Sequence, residues 1–100
     1  MRIYISGPIS GIEDLNREAF AKAAADLRAE GREVVNPHEI INQERAEREG
    51  WEWVDYMRED IKALMTCDAI CMLDGWQLSK GARVERYIAQ ELGFRVMGAI

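Results

Sequence analysis

Apolar and polar positions along this 100-residue chain switch repeatedly between the spacing of a strand and that of a helix. Arg2-Ile3-Tyr4-Ile5-Ser6 is a short β-branched and aromatic run that stops at the turn signal Gly7-Pro8, and it predicts a first strand. From about Asp14 to Glu30 the apolar residues Leu15, Ala19, Phe20, Ala23, Ala24 and Leu27 recur at helical spacing, with Gly31 as the stop. Glu33-Val34-Val35 reads as a second strand ended by Asn36-Pro37. The polar stretch from His38 to Gly50 reads as a loop with room for a helical turn, and a second helix is predicted from about Trp51 to Thr66. Ala69-Ile70-Cys71-Met72-Leu73 is a continuous apolar run, as a central parallel strand covered on both faces requires, and Asp74-Gly75 breaks it. Ser79 stands where it can cap a third helix, Lys80 to Leu92, which Gly93 terminates before a last strand at about Phe94 to Met97.

The resulting order, β-α-β-α-β-α-β, predicts one α/β domain over residues 1–100 with a parallel sheet and helices on both faces. Right-handed crossovers leave few doubly wound topologies, and the flavodoxin-like strand order 2-1-3-4 is the expectation. In such sheets ligands bind where the strand order reverses, outside the carboxyl ends of the flanking strands. Here those are strands one and three, so the loops Ser6 to Gly11 and Asp74 to Gly81 are expected to form the two lips of a site.

Composition narrows what such a site can serve. An apolar share of 48% beside 31% charged residues is that of an ordinary globular domain. A net charge of −5 with no Lys/Arg cluster excludes a long nucleic acid as partner, because a basic face is needed to displace counterions from phosphates. A small-molecule ligand remains compatible. No apolar run approaches a membrane span and the N-terminus has no signal-like apolar core, so no membrane partner and a cytoplasmic location are expected. Cys67 and Cys71 lack a second Cys/His pair to complete a metal site, so no metal is expected. A domain of this length buries a modest share of its surface, which makes a homo-oligomer the expectation.

Projecting the third helix at about 100° per residue puts Ala82, Val84, Ile88, Ala89 and Leu92 on one side, with Glu85 near the middle of the stripe. A carboxylate there needs a partner, a raised pKa or a task. Either it pairs with Arg83, Arg86 or a neighbouring helix, or it is a working acid; its place just past the switch-point loop favours the second. Asp60 lies at the edge of the second helix's apolar face beside Trp53, Tyr56 and Leu64, and is a rim charge, a member of an ion pair or a second catalytic group. Gly7-Pro8-Ile9-Ser10-Gly11 can offer backbone N–H groups and the Ser6 or Ser10 hydroxyl to an anion, although any β–α turn has this composition. Ser79-Lys80-Gly81 carries the same two readings, anion site or helix cap. Trp76, in the switch-point loop, is placed to stack on a base, whereas Trp51 and Trp53 read as packing or subunit surface, and His38 receives no role.

The strand Ile3-Tyr4-Ile5-Ser6-Gly7, the Asp60 region, and Ser79-x-Gly81-x-x-x-Glu85 followed by Leu92-Gly93 resemble the nucleoside 2-deoxyribosyltransferase superfamily over nearly the whole chain. The likeness is strongest to a group of small, often phage-encoded deoxyribosyltransferase-like proteins. It implies a flavodoxin-like fold and casts Glu85 as the nucleophile at the anomeric carbon of a deoxyribosyl group, Tyr4 as the orienter of the glutamate or of the sugar, and Asp60 as the acid assisting departure of the base. Transferases acting on unphosphorylated nucleosides usually carry aspartate where Ser79 stands. The related glycosidases that cleave deoxynucleoside 5′-monophosphates carry serine, and a hydroxyl suits a phosphate where a carboxylate repels it. The segments Gly81-Ala82-Arg83-Val84 and Glu85-Arg86-Tyr87 depart from the family's usual Gly-Thr or Gly-Val with an aromatic, and from its Glu-Leu-Gly.

The expectation is therefore N-glycosidic bond hydrolysis or 2-deoxyribosyl transfer on a deoxynucleotide, without a cofactor. Its phosphate would be held by the Gly7–Gly11 and Ser79–Gly81 loops, with Asp74 and Trp76 beside them. The rivals are a nucleotide-binding module that does no chemistry, and a structural or oligomerisation domain.

Overall fold

The structure is a computed structural model that describes residues 1–99. Four strands, β1 (Arg2–Ser6), β2 (Glu33–Val35), β3 (Ala69–Met72) and β4 (Arg95–Gly98), form one sheet in the order β2-β1-β3-β4. Every neighbouring pair is parallel, with Tyr4 opposite Val35 on one side and Ile70 on the other. This is the doubly wound, flavodoxin-like order that the alternation of elements predicts, and its direction reverses between β1 and β3.

Alternation along β1 divides the core into two layers. Ile5 faces Phe20 and Ala24 of α1 (Arg17–Ala29). Tyr4, with Ile70 and Met72 of β3, faces Leu64 of α4 (Trp53–Leu64) and Ala82 and Ala89 of α5 (Lys80–Glu91). The short side chains at 82 and 89 let α5 lie close on the sheet, so that the intervening Glu85 is buried against the strands. Ser79 caps α5, its Oγ accepting from the Ala82 N–H at 3.2 Å. The helix ends at Glu91, and Leu92, placed by periodicity on the apolar side, is 58% exposed just beyond it.

Two stretches fold differently from the sequence-based expectation. The polar segment 38–50 is more helical than a loop with one helical turn: it carries α2 (Pro37–Ile40) and α3 (Gln43–Arg48). Asparagine caps start both: Asn36 Oδ1 accepts from the His38 N–H at 3.0 Å, with Pro37 in the first helical turn, and Asn42 Oδ1 accepts from the Arg45 N–H at 2.9 Å. The first long helix begins at Arg17 rather than Asp14, because Asp14, Leu15 and Asn16 take left-handed φ values of 50°, 55° and 59°. Among the described residues no helix is long and apolar enough to cross a membrane.

Candidate active site

A cleft of about 410 Å³ opens at the carboxyl end of β1, within the size range of small-molecule sites. Its floor is Tyr4, Ser6 and Glu85. One lip is Gly7 to Ser10 after β1, and the other is Leu78 to Ala82, leading into α5. Along α4 the residues Trp53, Tyr56, Met57 and Asp60 follow helical spacing and make a side wall from mouth to floor. The opposite wall is built by Leu15, Arg17, Phe20 and His38.

Glu85 is 4% exposed, yet it forms no ion pair with Arg83 or Arg86. Arg83 donates to the Gln77 carbonyl at 2.8 Å, and Arg86 stacks on Trp76 at 4.7 Å from the ring centre. Two neutral hydroxyls hold the carboxylate instead: Tyr4 donates to Oε2 at 2.8 Å and Ser6 to Oε1 at 2.6 Å. The two-residue repeat of β1 puts both hydroxyls on the face that α5 covers, one for each oxygen. Burial pushes the Glu85 carboxyl up to about 7, against the pull of the Ser6 and Tyr4 hydrogen bonds, which favour its ionised form. Burial, reinforced by the Glu85 charge, raises the Tyr4 phenol well above its ordinary value, so Tyr4 is a hydrogen-bond donor and not a base.

Asp60 is 6% exposed, and its Oδ1 is buried without a hydrogen-bond partner among the described residues. Burial first, then the charges of Glu85 and Glu59, push its carboxyl up to about 8. The cleft therefore holds two acids in different settings. Glu85 is supplied with donors that favour the anion, whereas Asp60 lacks them and keeps its proton at neutral pH, an arrangement suited to nucleophile and acid.

Of the residues singled out in the sequence, the structure brings Tyr4, Ser6, Gly7, Pro8, Ile9, Ser10, Asp60, Ser79, Gly81 and Glu85 around this cleft. Gly11, Asp74 and Trp76 lie outside it. Trp76 is held elsewhere, its indole N–H donating to the Ala99 carbonyl and its ring face covered by Arg86, so it is not free to stack on a base. Asp74 lies in a shallow hollow beside α1. Gly7 is required by packing as well as by the turn: a Cβ there would lie 2.7 Å from Cβ of Leu73.

Sequence reasoning missed Trp53, Tyr56, Gln43, Arg17 and His38 as cleft residues, whereas Lys80 falls within the expected Ser79–Gly81 lip. Trp53 and Tyr56 share Asp60's side of the helix by spacing alone, and what the spacing could not supply was that this side faces the cleft. Trp53 faces the mouth with the Lys80 ammonium 4.1 Å from its ring centre. Tyr56 accepts from the Gln43 amide at 3.1 Å and packs edge-on against Trp51 at 5.3 Å. Among the described residues no group of three or more His, Cys, Asp or Glu side chains is placed to hold a metal ion.

The family model described as a domain of unknown function, DUF4406, matches residues 1–98. The chain belongs to the DUF4406 family. The match spans every strand of the sheet and all the cleft residues, so cleft and family domain coincide. No curated protein matches the chain.

Proposed function

We propose that this DUF4406 domain cleaves the N-glycosidic bond of a deoxynucleoside 5′-monophosphate, passing the sugar to water or to a second base through a covalent intermediate on Glu85. The observation that carries this reading is the buried Glu85 carboxyl, each oxygen held by a neutral donor, in a nucleotide-sized cleft that also contains Asp60, whose own carboxyl is pushed up by burial and by the charges of Glu85 and Glu59. The resemblance of Ser79-x-Gly81-x-x-x-Glu85 to the deoxyribosyltransferases supports the same assignment.

In the first step a Glu85 oxygen bonds to C1′ of the sugar while the C1′–N bond breaks, its electron pair leaving with the base as Asp60 delivers its proton. In the second, water attacks C1′, gives a proton back to Asp60 and releases Glu85 as carboxylate. A second base in place of water completes a transfer. Tyr4 and Ser6 keep the carboxylate in one orientation between steps. A phosphorylated substrate fits the mouth, where Arg17 and Lys80 line the cleft of a chain whose net charge is −5 and the Ser79 hydroxyl stands in the lip.

Incubation with a panel of deoxynucleoside monophosphates, followed by chromatography of free base, tests the proposal. Base is released by the native protein and not by Glu85→Ala; release that persists in this variant removes the nucleophile. Tight binding in calorimetry with no release across the panel replaces the enzyme with a nucleotide-binding module.

A further inference from the structure

The turn that walls the cleft on the α1 side is unusual in its backbone. Asp14, Leu15 and Asn16 are consecutive, none is glycine, and all three have left-handed φ values between 50° and 59°. L residues visit that region singly and at a cost, so a run of three persists only where its surroundings hold it. The ion pair of Arg17 with Asp14 is exposed and 3.5 Å long, a weak fastening.

Two other contacts are better placed. The Asn16 side-chain amide donates to the Pro8 carbonyl at 2.9 Å, tying the turn to the lip after β1. Nε2 of His38 lies 2.9 Å from the Leu15 carbonyl. A carbonyl only accepts, so Nε2 carries the hydrogen whether the ring is neutral or charged. His38 is itself fixed, its backbone N–H on Asn36 Oδ1 at 3.0 Å and its ring edge-on to Phe20 at 4.9 Å. The left-handed turn is thus stapled to the chain just beyond the carboxyl ends of β1 and β2. Its own residue Leu15 and the next, Arg17, are parts of the cleft wall.

We infer that Asn16 and His38 are positioning residues: their two hydrogen bonds hold the left-handed turn in the shape that sets Leu15 and Arg17 against the substrate. Neither acts on the reacting atoms, so both govern substrate affinity and not the chemical step. The kinetic part of this inference rests on the glycosidase reading; the fastening itself does not.

Two measurements on the full chain test it, with His38→Ala, Asn16→Ala and His38→Gln, the last keeping an amide donor at similar reach. In hydrogen exchange the amides of Leu15 and Arg17, bonded within the turn to the Ile12 and Asp14 carbonyls, are read against those of β1 and β3. Both alanine variants speed exchange in the turn about fivefold or more, the loss expected for one hydrogen bond, and leave the strands unchanged. In steady-state base release KM rises by about the same factor while kcat stays within about threefold of the native value. His38→Gln returns both quantities towards native.

Exchange that is unchanged in both alanine variants overturns the fastening. Faster exchange with native KM overturns the positioning role, as does a fall in kcat at native KM. If the native protein releases no base, the glycosidase reading fails by itself, and exchange in the turn still decides whether Asn16 and His38 fasten it.

Discussion

Replacing Asp60 by asparagine removes the most strongly perturbed acid of the cleft, and the consequence for stability follows from its setting. The carboxyl rises from an ordinary 3.8 to about 8 on folding, first through burial and then through the charges of Glu85 and Glu59. Because the folded value lies above the unfolded one, the native state keeps a proton that the unfolded chain has lost. Stability from this group is complete below about pH 4 and drains away as pH rises towards 8, at about 1.4 kcal/mol per pH unit, on the order of 5 kcal/mol in all. That loss is comparable to the whole stability of many small domains, about 5 to 15 kcal/mol. The asparagine amide keeps the shape of the side chain and cannot ionise. Urea unfolding of both proteins from pH 4 to pH 8.5 should show near-equal stability at the acid end. At the alkaline end the variant should lead by at least about 2 kcal/mol, even after discounting for relaxation around the buried charge. Equal stability at both ends would mean that Asp60 ionises without penalty, and such a group could not be the acid of the cleft.

The rate of base release should follow a bell-shaped pH profile, rising as Glu85 ionises around 7 and falling as Asp60 loses its proton around 8; a falling limb that survives in Asp60→Asn would assign it to another group. Tyr4→Phe removes one of the two hydrogen bonds that favour the Glu85 anion, so the rising limb should move to higher pH and the rate at pH 7 should fall by about tenfold or more. An unmoved limb in the same titration would deny Tyr4 its orienting role. Gly7→Ala forces a Cβ to 2.7 Å from the Leu73 Cβ and should cost about 1 to 3 kcal/mol in urea unfolding; an unchanged midpoint would mean that the turn after β1 and Leu73 can part without loss.

What could be read from the chain alone was local or periodic. A β-branched and aromatic run named β1 as a strand, a continuous apolar run named β3 as one covered on both faces, and the alternation with helices led to the order 2-1-3-4 and hence to the β1–β3 switch point. A carboxylate inside an apolar helical stripe marked Glu85 as out of place, because the projection needs only the twelve residues of one helix. The polar segment from His38 to Gly50 reads only as a loop with room for a helical turn, because short helices started by a side-chain cap have little apolar period to detect.

What Glu85 meets was settled in three dimensions. Its hydroxyl partners Tyr4 and Ser6 lie 81 and 79 residues away, and whether they face α5 depends on which side of β1 that helix packs. The same applies to the tryptophans: Trp76 sits in the expected lip but is held by Ala99 and Arg86, whereas Trp53 reaches the mouth because α4 crosses beside it. Periodicity tells which face of an element is apolar. Which polar groups share that face is fixed by the register and packing of strands and helices distant in the chain, and those determine where two buried acids meet.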